Sequence, residues 1–76
     1  MVNTKLLKGA IAEKGYTQAE VASKIGITPA TFSYKLNNKV EFDIDEACRL
    51  CDILGIHDRV DEIFFAKLLD LKSKIN

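Results

Sequence analysis

Apolar residues recur along this chain at helical spacing, in short runs that glycine or asparagine separates. Leu6, Leu7, Ala10 and Ile11 follow an i, i+3, i+4 rhythm, which sets them on one face of a first helix. Thr4 is placed to cap its start, and Gly15 to stop it. Val21, Ala22 and Ile25 repeat the rhythm in a second helix. Thr17-Gln18-Ala19-Glu20 opens that helix as a capping box, with a hydroxyl for the third amide and a carboxylate reaching back. Gly26 ends it. A third helix is expected from Pro29 to about Asn37, with Phe32 and Leu36 facing inward. Pro29 starts this helix instead of breaking it, because the N–H it lacks would have had no partner at the first helical position. Thr28 supplies the cap, and Asn37-Asn38 ends the helix, since asparagine tolerates the left-handed conformation.

Asp43-Ile44-Asp45-Glu46 is a second capping signal. Behind it Ile44, Ala47, Leu50, Cys51 and Leu54 predict one face of a fourth helix, closed by Gly55. Residues 58 to 75 are richer in apolar positions, among them Val60, Ile63, Phe64 and Leu68, and predict a fifth helix. The expected architecture is therefore all-α, in a single domain of 76 residues.

Composition narrows the function. A chain this short buries about 60% of its unfolded surface, which allows one modest core and no deep active-site cavity. The longest apolar run, Ile63-Phe64-Phe65-Ala66, is far too short to span a membrane. Lys5, Gly9, Glu13 and Lys14 interrupt the amino-terminal stretch, which therefore lacks a signal-peptide core. Two cysteines without an export signal read as cytoplasmic thiols. Cys48 and Cys51 have metal-like spacing, but Cys51 falls on the buried face and only His57 is near, whereas a closed zinc site needs four ligands. No metal or cofactor is expected. With no nucleophile, base and orienting group in sight, neither is catalysis or a small-molecule substrate.

Net charge is zero but unevenly placed. Residues 1–40 hold six lysines against two glutamates, for +4, and residues 41–76 hold nine acids against five bases, for −4. One face can thus meet an anion while the remainder is acidic.

The link Gly26-Ile27-Thr28 permits one sharp turn, so the second and third helices cross at a large angle. Counting from Gln18, Ala22 stands fifth, where a small residue allows close helix approach. Gly26 stands ninth, where the turn needs a positive φ, and Phe32 fifteenth, where a large group plugs the core. With LCDILGI further on, QAEVASKIGITPATFSYKLNNK resembles the helix-turn-helix proteins of the phage repressor and Cro family, over roughly residues 4 to 56. KLNNK and EIFFAK look like the small Cro-like regulators of prophages. The resemblance implies a five-helix, lambda-repressor-like bundle whose third helix enters the DNA major groove.

Helical spacing sets Ala30, Thr31, Tyr34 and Asn37 opposite Phe32 and Leu36, with Ser33 at the flank and no carboxylate among them. Following the resemblance, Gln18 contacts the DNA backbone and braces the third helix. Thr28 and the amides beside it form a phosphate site at a helix N-terminus. Ala30 meets a thymine methyl, Thr31 and Ser33 reach bases or phosphates, and Tyr34 reads a base or holds a phosphate. Asn37, Asn38 and Lys39 grip the next phosphates. Blander readings stand beside these. Thr28 and Pro29 start helices in any protein, Tyr34 can simply cover a neighbour, and an exposed lysine such as Lys39 is most often just solvated.

Three positions depart from the family pattern. Pro29 replaces a base-reading glutamine. Lys35 stands where an apolar residue is usual, so its stem is expected along the core with its ammonium reaching solvent or a phosphate. Ile11 and Leu36 replace an Arg–Glu pair and are expected to meet as apolar groups, an exchange that is often neutral or stabilising. The expected partner is a double-stranded DNA operator, bound by a weak homodimer that represses by occupancy. Phe64 and Leu68 are candidates for the dimer seam, unless the tail closes over its own core as a lid. Two rivals use the same domain: an antitoxin that regulates its own promoter, and a protein-interaction module whose third helix is idle.

Overall fold

The computed structural model describes residues 2–64. They form five α-helices, one 3-10 turn and no strand. The helices are α1 (Thr4–Glu13), α2 (Gln18–Ile25), α3 (Pro29–Leu36), α4 (Ile44–Leu54) and α5 (Val60–Phe64), with the 3-10 turn His57–Arg59 before α5. The expected carboxy-terminal helix thus begins with a tighter turn, and its course beyond residue 64, including Leu68, lies outside the described residues.

The start of α1 corrects an expectation. Its cap is Asn3, whose Oδ1 accepts from the Leu6 amide at 3.1 Å. Asparagine is the stronger N-cap. Thr4 instead turns its hydroxyl to the Leu36 carbonyl, donating at 2.6 Å and tying α1 to the end of α3.

The capping box of α2 forms as expected: Thr17 Oγ1 accepts from the Glu20 amide at 3.1 Å, and the Thr17 amide donates to Glu20 Oε1 at 2.9 Å. The backbone N–H of Thr17, and then its hydroxyl, hold the Glu20 carboxyl below its ordinary value. A depressed carboxyl stabilises the fold above its unfolded pKa and ceases to as pH falls through the folded one. Glu20→Ala is therefore expected to lower Tm at pH 7, and the gap from the native protein should close as pH drops below 4.5, the ordinary value. Thermal unfolding followed by circular dichroism at several pH values measures this. A gap that stays constant down to acid would show that the cap owes nothing to the charge.

Gly26 carries a φ of +84° at the end of α2 and lets the chain reverse into α3. A Cβ there would meet only Arg49 Nη1 at 3.7 Å, so backbone strain, not space, is what requires glycine. Thr28 caps α3 by accepting from the Thr31 amide at 3.2 Å, and Pro29 takes the first helical position. Asn38 ends the segment in the left-handed region, at φ +63°. The Asp43 capping box opens α4.

The inward faces join in one core. Phe32, Leu7, Ile25, Leu36, Leu50, Ile63 and Val21 are fully buried. Ile11 and Leu36 both lie in it. The face of α4 differs from expectation at two positions: Ile44 is 82% exposed and Glu46 is buried. Ile44 lies on the first turn, past the end of the stripe that Leu50, Cys51 and Leu54 bury. Glu46 can go inside because its carboxylate is partnered there by the Asp43 amide and the Lys35 ammonium. Phe42 bridges Phe32 and Phe64, at ring-centroid distances of 5.9 and 6.0 Å. Phe64 is thereby buried in the protein's own core.

Candidate nucleic-acid interface

Packing Phe32 and Leu36 inward turns the opposite side of α3 to solvent. Pro29, Ala30, Tyr34 and Asn37 are exposed there, while Thr31 and Ser33 are half-buried at the edges. Gln18, at the start of α2, is exposed as well. From Pro29 to Lys39 the sequence has no carboxylate, so an anion approaching this face meets no charge of its own sign. In the first turn of α3, Pro29 has no N–H and the Thr31 and Phe32 amides are bonded to Thr28, which leaves the Ala30 amide at the positive end of the dipole.

Individual side chains are less free than their exposure suggests. Thr28 Oγ1 accepts from the Thr31 amide and donates to Thr31 Oγ1 at 2.9 Å, so both hydroxyls are oriented by α3 itself. Asn37 Nδ2 donates back to the Ser33 carbonyl at 2.9 Å. Asn38 uses its amide on the amino-terminal segment: Oδ1 accepts from the Val2 amide at 2.8 Å and Nδ2 donates to the Val2 carbonyl at 3.0 Å. That arrangement commits the Asn38 amide to the backbone of residue 2. Tyr34 and Lys39 come together, with Nζ 6.0 Å from the ring centroid and the Lys39 amide donating to the Tyr34 carbonyl at 2.8 Å. A cation thus stands over an exposed ring at the end of α3.

Lys35 also departs from expectation. Its ammonium pairs with Glu46, with the two side chains 12% and 9% exposed, and so reaches neither solvent nor a phosphate. A carboxylate eleven residues away in the chain decided this, and no local pattern points to it. Arg49 escaped the sequence reading too. From α4 its Nη1 donates to the Ile25 carbonyl at 3.0 Å, bracing the open end of α2 just before the turn. A single arginine on a helix carries no spacing signal that would reveal such a brace.

The other candidates separate. Cys48 is exposed and Cys51 buried, so the two thiols do not share a surface. Burial, then Cys48 and Asp52, push the Cys51 thiol above its ordinary value, which leaves it less reactive. His57 pairs with Asp52 at 2.8 Å on the surface. Among the described residues no helix is long and apolar enough to cross a membrane.

Fold and site together define a small all-helical bundle that presents one short, capped helix through a tight turn. The chain belongs to the DUF739 family, described as a protein of unknown function, whose match runs over residues 2–67. No curated protein and no solved structure matches it.

Proposed function

We propose that this DUF739 protein is a sequence-specific regulator of transcription that binds double-stranded DNA in the manner of the small Cro-like repressors. One observation carries the reading: α3 is held by its buried Phe32 and Leu36 so that a carboxylate-free face, with Ala30 and Tyr34 exposed, stands away from the core. A helix of this kind fits a major groove about 12 Å wide, with its N-terminal residues at the base edges. Ala30 then lies against a thymine methyl and Tyr34 against a base or its phosphate. Gln18 and the Ala30 amide take the flanking phosphates, and Lys39 the next. Regulation follows from occupancy, a weak homodimer covering an operator of a phage promoter and excluding polymerase.

Duplex binding measured against salt tests this. Affinity for a duplex of random sequence should be detectable at ~50 mM salt and fall steeply as salt rises, because neutralised phosphates release counterions. Lys39→Ala is expected to weaken every sequence alike and to lower the log–log salt slope by about 1. Tyr34→Ala should change which bases are preferred. Equal, sequence-independent losses from both would remove Tyr34 as a reader, and no affinity at low salt would end the reading as a whole.

One observation favours a protein partner in addition. Val40 and Ile44 are 50% and 82% exposed beside the acidic Asp43 and Asp45, a surface suited to a basic, apolar partner such as a toxin. In that case DNA binding and partner binding occupy different faces, as an autoregulating antitoxin requires.

A further inference from the structure

Residues 2–4 lie between α5 and the exit of α3. At one end the Asn3 amide donates to the Ile63 carbonyl of α5 at 2.6 Å. At the other, both polar groups of the Val2 backbone are held by the single side chain of Asn38, at 2.8 and 3.0 Å. Asn38 Nδ2 lies 3.4 Å from Thr4 Oγ1, and that hydroxyl in turn donates to the Leu36 carbonyl. Val2 itself is buried in the core, which anchors the segment between its two grips.

Asn38 is the only residue other than glycine with a positive φ among those described. Glycine would adopt that conformation with less strain and end α3 equally well. What glycine cannot do is grip a peptide unit on both sides. A primary amide offers a donor and an acceptor together, whereas a carboxylate offers only acceptors. Asn38 also sits between the two residues that the proposed interface needs most. Tyr34 accepts, at its carbonyl, from the amides of Lys39 at 2.8 Å and Val40 at 3.4 Å. Any shift at position 38 therefore moves the lysine relative to the ring.

We infer that residues 2–4 are a strap that couples α5 to the exit of α3, and that Asn38 is the positioning residue through which the strap sets Lys39 and Tyr34 on DNA. The inference rests on the DNA-binding reading for its consequence but not for its mechanics. Its links are in series: Ile63 to Asn3, Asn3 to Val2, Val2 to Asn38, Asn38 to Lys39. Displacement of α5 is thereby felt at the recognition surface.

Series coupling has a specific signature. Asn38→Gly keeps the left-handed backbone and releases the grip. Asn3→Pro removes the amide that holds Ile63, and Asn3→Ala, which shares only the loss of the α1 cap, is its reference. Measured well below each variant's Tm, duplex affinity should fall on the order of tenfold for Asn38→Gly, and for Asn3→Pro relative to Asn3→Ala, as for groups in one network. The double variant should be no weaker than Asn38→Gly alone, because a strap cut once transmits nothing. Hydrogen exchange at the Lys39 amide should quicken in Asn3→Pro relative to Asn3→Ala. Losses that add would show independent effects and overturn the inference, as would unchanged affinity in the single variants. If the native protein binds no duplex, the DNA reading falls. The exchange rate at Lys39 then decides the strap by itself, and an unchanged rate overturns it.

Discussion

Phe32→Ala is expected to remove a large share of the protein's stability and to lower its Tm by at least about 12 °C. Phe32 is fully buried and is the large group that fills the space behind the α2–α3 turn. Truncating a buried phenylalanine costs about 3–5 kcal/mol, since the transfer energy is lost and a cavity remains. A domain of this length has only about 4–11 kcal/mol of stability in all, at 0.05–0.15 kcal/mol per residue. The loss also removes one end of the Phe32–Phe42–Phe64 ring contacts, so the closure of α5 over the core weakens with it. Phe32→Leu keeps most of the apolar volume and should remain folded, with a loss of about 1–1.5 kcal/mol and a Tm lower by several degrees. Circular dichroism during heating separates the two outcomes. A Phe32→Ala protein that melts within a few degrees of the native one would show that this residue does not hold the bundle together.

Glu46→Ala is expected to destabilise nearly as strongly, and for an electrostatic reason. The substitution leaves the Lys35 ammonium in a site only 12% exposed without its anion, and leaves the Asp43 amide without its acceptor. Breaking a buried pair from one side costs about 3–5 kcal/mol, much of it the penalty of the stranded charge. Lys35→Leu should be milder, because Glu46 keeps the Asp43 amide as a partner. The double replacement Lys35→Leu, Glu46→Leu should recover most of what Glu46→Ala loses, because no buried charge is then left alone. Urea unfolding of the three variants gives the comparison. Additive losses in the double variant would mean that the two side chains do not depend on each other.

Several elements were legible in the sequence because their signals are local. The Thr17 and Asp43 capping boxes, the proline at the start of α3 and the positive-φ glycine at its turn each involve residues within a few positions of one another. The inward pair Phe32 and Leu36 follows from helical periodicity, and that pair alone fixes which side of α3 faces solvent. The failures are long-range. Glu46 reads as a polar surface residue until Lys35 is folded against it, and Ile44 reads as core until the buried stripe of α4 proves to end before it. Asn38 carries no local sign of what its side chain holds. Only the fold brings Val2, 36 residues away, within reach of its amide. Arg49 is similar, meeting a carbonyl 24 residues away. The exposed face was thus readable, while the contacts that hold it in place were not, since they depend on which segments the bundle brings together.

The claim at the centre of this account is that α3 reads base edges. Repeated selection of bound sites from a pool of random duplexes tests it most directly. The account predicts enrichment of a short motif, with paired half-sites about 34 Å apart if two copies bind together. The motif should shift when Tyr34 is replaced by alanine. A pool that after several rounds still matches its starting composition would contradict the claim.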